Sequence, residues 1–349
     1  MPTDTATSTA AHSYLEPATL AAIRPIELRA RMAVEGLMTG LHKSPYQGFS
    51  VEFAQHRQYA AGDDIRFLDW KVYGRSDKLY LKQYQKETNL DLVLLVDGSG
   101  SMAYGSAVKP GDPADRASAR DLGVLSRGPR ALGWRKYDHA ASLAAAMAYL
   151  ALRQQDRVGL VLFDDKLRTA TRMSNAQDHW RSLVEVLSAE PVDPAEARGG
   201  VDEHGNPLGR TTELGTLFEQ VNARTTQRSL IVVISDLFDT PEALERGLAR
   251  LHHRRHDVIL LQVLDPAELT FPFRSPSEFV GLEGEGRLQL DPHALRQAYT
   301  EALEAHLRGI EEVTRRFRFD HLLLDSSQSL GPPLSHFLAR RTARLSKGK

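Results

Sequence analysis

The stretch "LDLVLLVDGSGSMAYG", Leu90–Gly105, changes abruptly from apolar to polar residues. Its first half is a run of Leu and Val broken by one aspartate, which is typical of a strand covered on both faces of a parallel sheet. The run ends at Asp97, and Ser99 and Ser101 follow, with a glycine on each side of Ser99. We interpret the segment as a buried strand that presents one carboxylate and two hydroxyls at its carboxyl end. Gly98 and Gly100 are expected to supply backbone angles that larger residues resist.

The rest of the chain alternates between strand-like and helix-like patterns. Apolar runs such as "RVGLVLF", "SLIVVIS" and "DVILLQVL" are separated by segments with helical spacing, such as "HAASLAAAMAYLALRQQ". Strands that alternate with helices predict an α/β fold with a doubly wound, mostly parallel sheet and helices on both faces.

The chain divides by composition into three parts. Residues 1–25 have the Thr/Ala/Ser bias of a disordered lead-in, residues 26–88 mix aromatic with charged residues and predict a small β-containing lobe, and residues 89–345 form the α/β domain. Within that domain, residues 104–136 and 193–210 have the composition of insertions. The first contains seven basic and three acidic residues, the second four acidic and two basic ones. Two interpretations stay open: charged flaps that select a partner, or solvated disordered insertions.

Composition excludes several classes of protein. Lys and Arg total 44 against 45 Asp and Glu, so the net charge of −1 argues against a protein that coats nucleic acid or an anionic membrane. The absence of cysteine excludes disulfides and thiolate metal sites. The amino terminus lacks the pattern of a secretory signal, and the most apolar helical stretch, Ala140–Leu152, is too short to cross a bilayer. We therefore expect a cytoplasmic protein that binds no nucleic acid and does not insert into a membrane.

Polar side chains that could bind a metal follow two predicted strands, and a further one lies in a loop before a predicted helix. Asp97, Ser99 and Ser101 follow the first strand of the domain, Thr212 precedes the helical pattern "ELGTLF", and Asp236 ends the strand "LIVVIS". Ligands of open α/β sheets lie at the carboxyl ends of the parallel strands, so these side chains are expected to converge. Carboxylate and hydroxyl oxygens are ligands that Mg²⁺ or Mn²⁺ accepts. A divalent cation is the predicted cofactor.

The segments "DGSGSM", "TTELG" and "ISD" resemble the metal-ion-dependent adhesion site of von Willebrand factor type A domains. The resemblance implies that Ser99, Ser101 and Thr212 are hydroxyl ligands, and that Asp97 and Asp236 act directly or through water. It also implies that a carboxylate from a partner completes the coordination.

A second resemblance covers most of the chain, from roughly Leu28 to Arg341. The run "GDDIRFLDW" and the later "VLDPAELTFPF" are similar to domain-of-unknown-function family 58. Membership implies association with a MoxR-type AAA+ ATPase and a chaperone-like role in assembling or metallating other proteins. Many relatives carry two membrane helices before this region, and we expect none in this chain.

The predicted function is metal-dependent protein–protein interaction without catalysis. Two alternatives stay open: a Mg²⁺-dependent hydrolase or phosphotransfer enzyme that uses Asp97 as nucleophile or base, and a metal-free scaffold. The carboxylates of "GDDIRFLDW" are interpreted as structural rather than catalytic, with aromatic residues of the run, Trp70 among them, docking the lobe onto the sheet domain.

Overall fold

The computed structural model describes residues 25–41, 56–59, 70–82, 90–105, 134–164, 166–188, 214–225, 227–273, 277–280 and 287–347, and the single residues 17, 20, 23 and 68. Residues 106–133 of the first predicted insertion and the whole of the second, residues 193–210, lie outside this part of the chain. The helices and strands in chain order are α1 (Ile26–Leu41), β1 (His56–Gln58), α2 (Trp70–Ser76), β2 (Tyr80–Lys82), β3 (Asp91–Asp97), α3 (Lys136–Arg153), β4 (Arg157–Phe163), β5 (Leu167–Ala170), α4 (His179–Leu187), α5 (Leu214–Arg224), β6 (Leu230–Ser235), α6 (Pro241–His253), β7 (Asp257–Leu264), α7 (Pro266–Thr270), β8 (Ser277–Val280), β9 (Arg287–Leu290), α8 (Pro292–Phe317), β10 (Asp320–Asp325) and α9 (Gly331–Lys347).

The main sheet has six strands in the order β10-β7-β6-β3-β4-β5. Every neighbouring pair is parallel except β4 and β5, which are antiparallel. The chain leaves β3 toward β4 on one side, and β6 later pairs with the other side of β3. The direction of winding therefore reverses between β3 and β6, and such a switch point leaves a crevice at the carboxyl ends of the two strands.

Helices cover both faces of this sheet, which explains the apolar run at β3. Leu92 and Leu94 point into a core formed with α1, α3, α4 and α9. Val93 and Leu95 point into a second core formed with α5, α6 and α8. All seven residues of β3 are buried as a result. The predicted fold class, a doubly wound and mostly parallel α/β sheet, is confirmed.

Helix α3 carries the largest share of the first core and fixes one wall of the crevice. It is rich in alanine, and its small side chains allow close packing between the sheet and α1. Leu143 and Met147 are fully buried within it. Truncation of either to alanine is expected to cost about 2–5 kcal/mol of the free energy of unfolding, because a cavity would remain.

The segment before the sheet contributes to the same core. Leu20 and, on α1, Ile26, Val34 and Leu37 are buried in the first core. Strands β1 and β2 form a separate antiparallel pair. The division at residues 25 and 88 stays a prediction.

The expected docking of Trp70 onto the sheet domain is wrong. Trp70 is 64% exposed at the first residue of α2. Its ring meets Tyr73 edge to face at 6.2 Å, because residues three apart lie on the same side of a helix. Of the preceding run, Leu68 is buried, and Asp63, Asp64, Arg66 and Asp69 lie outside the described residues.

Candidate metal centre

Asp97 lies buried at the carboxyl end of β3, where it joins the two strands of the switch point. Its Oδ1 accepts a hydrogen bond from the backbone amide of Ser99 at 2.8 Å, and its Oδ2 accepts one from Ser235 Oγ at 2.5 Å. Because β3 and β6 pair Val96 with Ile234, the next residue of each strand, Asp97 and Ser235, reaches the same level. Sequence analysis missed Ser235, although the residue directly precedes Asp236 in "ISD".

The hydroxyls of Ser99 and Ser101 converge as predicted. Their Oγ atoms are 3.0 Å apart, and Ser99 is buried while Ser101 is half-buried. The chain turns here through a short 3-10 helix, Gly100–Ala103. Two hydroxyls and the Asp97 carboxylate thus share one turn.

The role expected for Gly98 is corrected by the structure. Its φ lies outside the left-handed region, so unusual backbone angles do not require a glycine here. Its amide donates to the carbonyl of Phe163 at 2.7 Å, and an added Cβ would lie 3.2 Å from Leu162 Cδ1 and 3.3 Å from an Arg168 nitrogen. The position favours glycine because the turn packs closely against the end of β4.

Asp236 follows β6, is buried, and contacts a lysine that sequence analysis did not place in the site. Lys136, the first residue of α3, donates from its ammonium to Asp236 Oδ2 at 2.9 Å and to Glu268 Oε1 at 2.7 Å. The side chain of Lys136 is 0% exposed. Lys136 is one of the seven basic residues of the predicted insertion at residues 104–136. Its position at the start of a strongly apolar helix is the feature of the sequence that could have indicated a buried lysine.

Glu268 is held by a capping box that the sequence does encode. Asp265 is the N-cap of α7 and Pro266 the first helical residue, and the second carboxylate oxygen of Glu268 accepts from the backbone amide of Asp265 at 2.7 Å. The pattern "DPAEL" was recognisable as a helix start, but nothing local indicated that its glutamate reaches Lys136.

Of the five predicted metal ligands, the structure brings four to this crevice: Asp97, Ser99, Ser101 and Asp236. Thr212 lies outside the described residues, and the helix after it, α5, begins at Leu214. The role of Thr212 as a hydroxyl ligand stays a prediction.

The carboxylates of the crevice differ in whether a positive charge lies beside them. Burial, together with the negative charge of Asp236, raises the pKa of Asp97 to about 7, although hydrogen bonds from Ser235 and Ser99 oppose this. Burial lowers the pKa of Lys136, but Asp236 and Glu268 more than offset the effect, so that this pKa lies above its ordinary value. Burial likewise raises the pKa of Glu268, with Lys136 acting in the opposite direction. The Lys136 ammonium is shared by Asp236 and Glu268, whereas the hydrogen bonds that Asp97 accepts from described residues come from a neutral hydroxyl and a neutral amide.

The donor set is compatible with a hard divalent cation. Within the described ranges, no group of three or more His, Cys, Asp or Glu residues is placed to hold a metal. The crevice instead combines two carboxylates with a convergent pair of hydroxyls, an all-oxygen set suited to Mg²⁺ or Mn²⁺. Asp97 is the carboxylate whose buried charge a cation would offset. These residues fit such an ion, although one oxygen of Asp236 already faces Lys136.

An aromatic side chain borders the crevice next to Asp236. Leu237 has a φ of 55°, in the left-handed region, and its side chain is buried in the second core. Phe238 is consequently turned to the surface and is 46% exposed. Its ring centroid lies 5.2 Å from Lys136 Nζ and 5.8 Å from the ring of His306. The exposed aromatic ring therefore covers the ammonium group.

A family model described as "Protein of unknown function DUF58" matches residues 55–119 and 126–308 of the chain. This is well over half of its length. The chain belongs to the DUF58 family. The family predicted from "GDDIRFLDW" and the later motifs is thus confirmed, and the match includes β3, β6, α7 and the start of α3. The association with a MoxR-type ATPase stays a proposal.

Two curated relatives span nearly the whole of this DUF58 chain. The uncharacterized protein Rv1480 of Mycobacterium tuberculosis and the uncharacterized protein Mb1516 of Mycobacterium bovis are each 25% identical over 330 residues, which cover 93% of this chain and 90% of theirs. Among solved structures, BatB from Bacteroides thetaiotaomicron matches 73% of this chain and 100% of its own, with 14% identity and a TM-score of 0.39. The VWA domain of SpRpn10 matches over 72% and 95%, with 11% identity and a TM-score of 0.33.

Among the described residues of this DUF58 chain, no helix is both long and apolar enough to span a membrane. The cytoplasmic location expected from the sequence stays a prediction.

Proposed function

We propose that this DUF58 chain is a protein-interaction module that binds its partner through a divalent cation, Mg²⁺ or Mn²⁺, at the carboxyl ends of β3 and β6. Asp97, Ser99 and Ser101 would hold the cation on the β3 side. Asp236 would act on the β6 side, directly or through water, with Thr212 as a further hydroxyl ligand. The carrying observation is Asp97, a buried carboxylate with a pKa of about 7 that neighbours a second carboxylate and accepts hydrogen bonds from a neutral amide and a neutral hydroxyl of the described residues.

The chemistry of this site favours a carboxylate as the partner's contribution. A bound cation with few protein ligands would retain waters and supply an exchangeable position for an anionic oxygen. Phe238 offers an exposed apolar ring beside that position. An acidic side chain flanked by apolar residues would match both features.

A MoxR-type AAA+ ATPase is the proposed partner, in chaperone-like assembly of other proteins. Membership of the DUF58 family and the run "GDDIRFLDW" support this through resemblance. The specific expectation is that the MoxR-type ATPase of the same organism forms a complex with this chain that depends on Mg²⁺ or Mn²⁺.

The deciding experiment measures capture of that purified ATPase by the immobilised full chain, with Mg²⁺, with Mn²⁺ and with EDTA. We expect capture with either cation and its loss in EDTA. The Asp97→Ala variant is expected to lose capture under all three conditions. Equal capture in EDTA and in Mg²⁺ would show that the proposed metal dependence is wrong.

A metal-free scaffold is the second candidate, and Lys136 is the observation that favours it. An ammonium already lies between Asp236 and Glu268, so the crevice contains a positive charge of its own. Titration calorimetry with Mg²⁺ and with Mn²⁺, on the purified chain alone and on the chain mixed with the ATPase, separates the two candidates. Heat of metal binding in either sample supports the metal site, and its absence in both supports the scaffold.

The hydrolase or phosphotransfer alternative also has an observation in its favour. A carboxyl group with a pKa of about 7 is suited to accept a proton near neutral pH. Turnover of a generic phosphate ester by the purified chain with Mg²⁺, lost in Asp97→Asn, would support an enzyme. We expect no turnover.

A further inference from the structure

Lys136 joins three separate segments of the chain through one buried ammonium group. It begins α3, Asp236 follows β6, and Glu268 belongs to α7. The ammonium lies 2.9 Å from an oxygen of Asp236 and 2.7 Å from an oxygen of Glu268. Burial of a lysine is costly unless its charge is paired, and here two carboxylates pair it.

The surroundings hold this ammonium in place. Glu268 is fixed by its second hydrogen bond, to the Asp265 amide at 2.7 Å, and so presents its other oxygen to Lys136. The ring of Phe238 covers the ammonium at 5.2 Å. The backbone amide of Lys136 itself donates to the carbonyl of Tyr104 at 2.9 Å. This hydrogen bond connects the start of α3 to the end of the turn that contains Ser99 and Ser101. Rotation of Lys136 away from the crevice would leave the buried carboxylate of Asp236 and the half-buried carboxylate of Glu268 without this cation.

A divalent cation that approaches Asp236 would meet this positive charge within a few ångströms. Asp236 has two carboxylate oxygens, and Oδ2 already accepts from Lys136. The repulsion between a divalent cation and an ammonium is strong where water is excluded. The same side chain that stabilises Asp236 therefore opposes metal binding by Asp236.

We propose that Lys136 is a built-in counter-ion that competes with the divalent cation for Asp236. The metal then binds weakly to the free chain and more tightly once a partner carboxylate adds negative charge. Metal and partner binding become mutually reinforcing, since a coupling free energy acts equally in both directions. This inference rests on the proposed metal site, because it names what sets the affinity of that site.

The test is the affinity of the full chain for Mn²⁺ alone, measured by titration with detection of free Mn²⁺ by electron paramagnetic resonance. The Lys136→Met variant replaces the ammonium by an uncharged side chain of similar length. We expect it to bind Mn²⁺ at least about tenfold more tightly than the wild type, because the repulsion is removed. Arg153→Met is the matched control, since Arg153 is an exposed residue at the other end of the same helix, about 25 Å away.

A double variant, Lys136→Met with Glu268→Gln, separates competition from a simple change in net charge. It also avoids leaving the half-buried carboxylate of Glu268 without its ammonium partner. It removes one positive and one negative charge, so the net charge of the crevice is unchanged while Asp236 loses its competitor. Competition predicts tighter binding of Mn²⁺ in the double variant as well. Should Lys136→Met fail to fold, the double variant alone decides the question.

Each outcome distinguishes this inference from the proposed function. Wild-type affinity equal to or higher than that of either variant overturns the competition, while metal binding itself would still support the proposed function. Binding by the variants without measurable wild-type binding supports the competition and contradicts a functional metal site in the free chain. Absence of binding by all variants overturns both.

Discussion

The Lys136 ammonium lies 2.9 Å from a carboxylate oxygen of Asp236, although 100 residues separate the two in the chain. Asp236 is one of the predicted ligands of the divalent cation. The candidate metal centre therefore already contains a positive charge, the ammonium group of Lys136, beside one of its predicted ligands. Within the part of the chain that the structure describes, Asp97 on the neighbouring strand accepts hydrogen bonds from the Ser99 amide and the Ser235 hydroxyl, both of which are neutral. The two carboxylates of the crevice therefore have different environments, and variants of the two residues should behave differently.

Asp97→Ala should abolish binding of Mn²⁺ and leave the fold intact. The substitution removes two hydrogen bonds, but it also removes a buried charge that the neighbouring Asp236 destabilises. We expect the free energy of unfolding without metal to change by less than about 2 kcal/mol. Calorimetric titration with Mn²⁺ and urea unfolding measure the two effects.

Asp257→Ala is the control for Asp97→Ala. Asp257 lies at the opposite end of the parallel strands and forms an exposed ion pair with Arg228. Such pairs contribute about 0–1 kcal/mol, so both stability and Mn²⁺ affinity should be close to those of the wild type. Retention of Mn²⁺ binding by Asp97→Ala would show that the ion binds elsewhere.

Phe238→Ala should weaken partner capture without weakening metal binding. The ring is 46% exposed beside the crevice and contributes no oxygen ligand. Truncation of an aromatic anchor typically reduces affinity about tenfold, and we expect a loss of that size for the MoxR-type ATPase. Surface plasmon resonance measures this loss, and Mn²⁺ titration should give an affinity within about twofold of the wild type.

Trp70→Ala is the control for Phe238→Ala, because Trp70 is also an exposed aromatic residue. It is 64% exposed on α2, and its ring contacts Tyr73. Trp70→Ala should leave capture of the ATPase unchanged if the crevice is the docking site. A loss in Trp70→Ala with no loss in Phe238→Ala would move the docking surface to α2.

The contribution of His139 to the stability of the protein should be lost in mild acid. This residue of α3 is buried, and burial lowers its pKa to about 4, although a hydrogen bond to the Ser326 backbone and the charge of Asp325 act in the opposite direction. The unfolded chain takes up the proton near pH 6.5, so between pH 6.5 and 4 the unfolded state binds more protons. The contribution of His139 to stability is therefore complete above pH 6.5 and is lost as the pH falls toward 4. The loss reaches about 2 kcal/mol at pH 5.

Urea unfolding at pH 7.5 and at pH 5 gives the loss of the free energy of unfolding on acidification. The contribution of His139 is the difference in this loss between the wild type and His139→Gln. The comparison between variants is needed because the pKa of Asp97 is raised to about 7, so its protonation stabilises the folded state over this same range as the pH falls. His139→Gln should lose about 2 kcal/mol less than the wild type on acidification. His293→Gln, at an exposed residue of α8, should retain the wild-type difference. Identical acid sensitivity in wild type and His139→Gln would rule out this residue as the cause.

Replacement of residues 106–133 by two glycines should leave the metal centre intact. The residues that flank the segment are adjacent: a Cβ on Gly105 would lie 2.3 Å from the carbonyl oxygen of Trp134, and Lys136 bonds to Tyr104. A short linker can therefore close the gap without moving Lys136. Mn²⁺ affinity should be unchanged.

The same deletion tests whether this segment selects a partner by charge. It removes five basic and three acidic residues. If the segment is a charged flap, the affinity for the ATPase should change and should depend less on salt, because fewer charges contribute to the encounter. Partner binding with unchanged affinity and salt dependence would favour the solvated, disordered insertion.

Several residues of the site were predictable because local patterns encode them. The apolar run before Asp97 identifies a doubly covered strand, and Asp236 ends a second run of the same kind. In a parallel sheet, such strand ends lie at one edge, which is why the two carboxylates could be expected together. Trp70 shows the limit of this reasoning, because an aromatic residue in a charged run does not reveal which surface it contacts, and here it packs on its own helix.

The chain's order of apolar runs and helical segments determined the α/β class, and its spacing of Asp97, Ser99 and Ser101 determined one turn with three oxygen donors. These features are local, and a strand or a turn of a few residues contains all of their physical causes. Only the tertiary structure decided that Ser235 bonds to Asp97 and that Lys136 reaches Asp236 and Glu268. Those contacts depend on the register of β3 against β6 and on the docking of α3 and α7 at the sheet edge, which no short stretch of residues specifies.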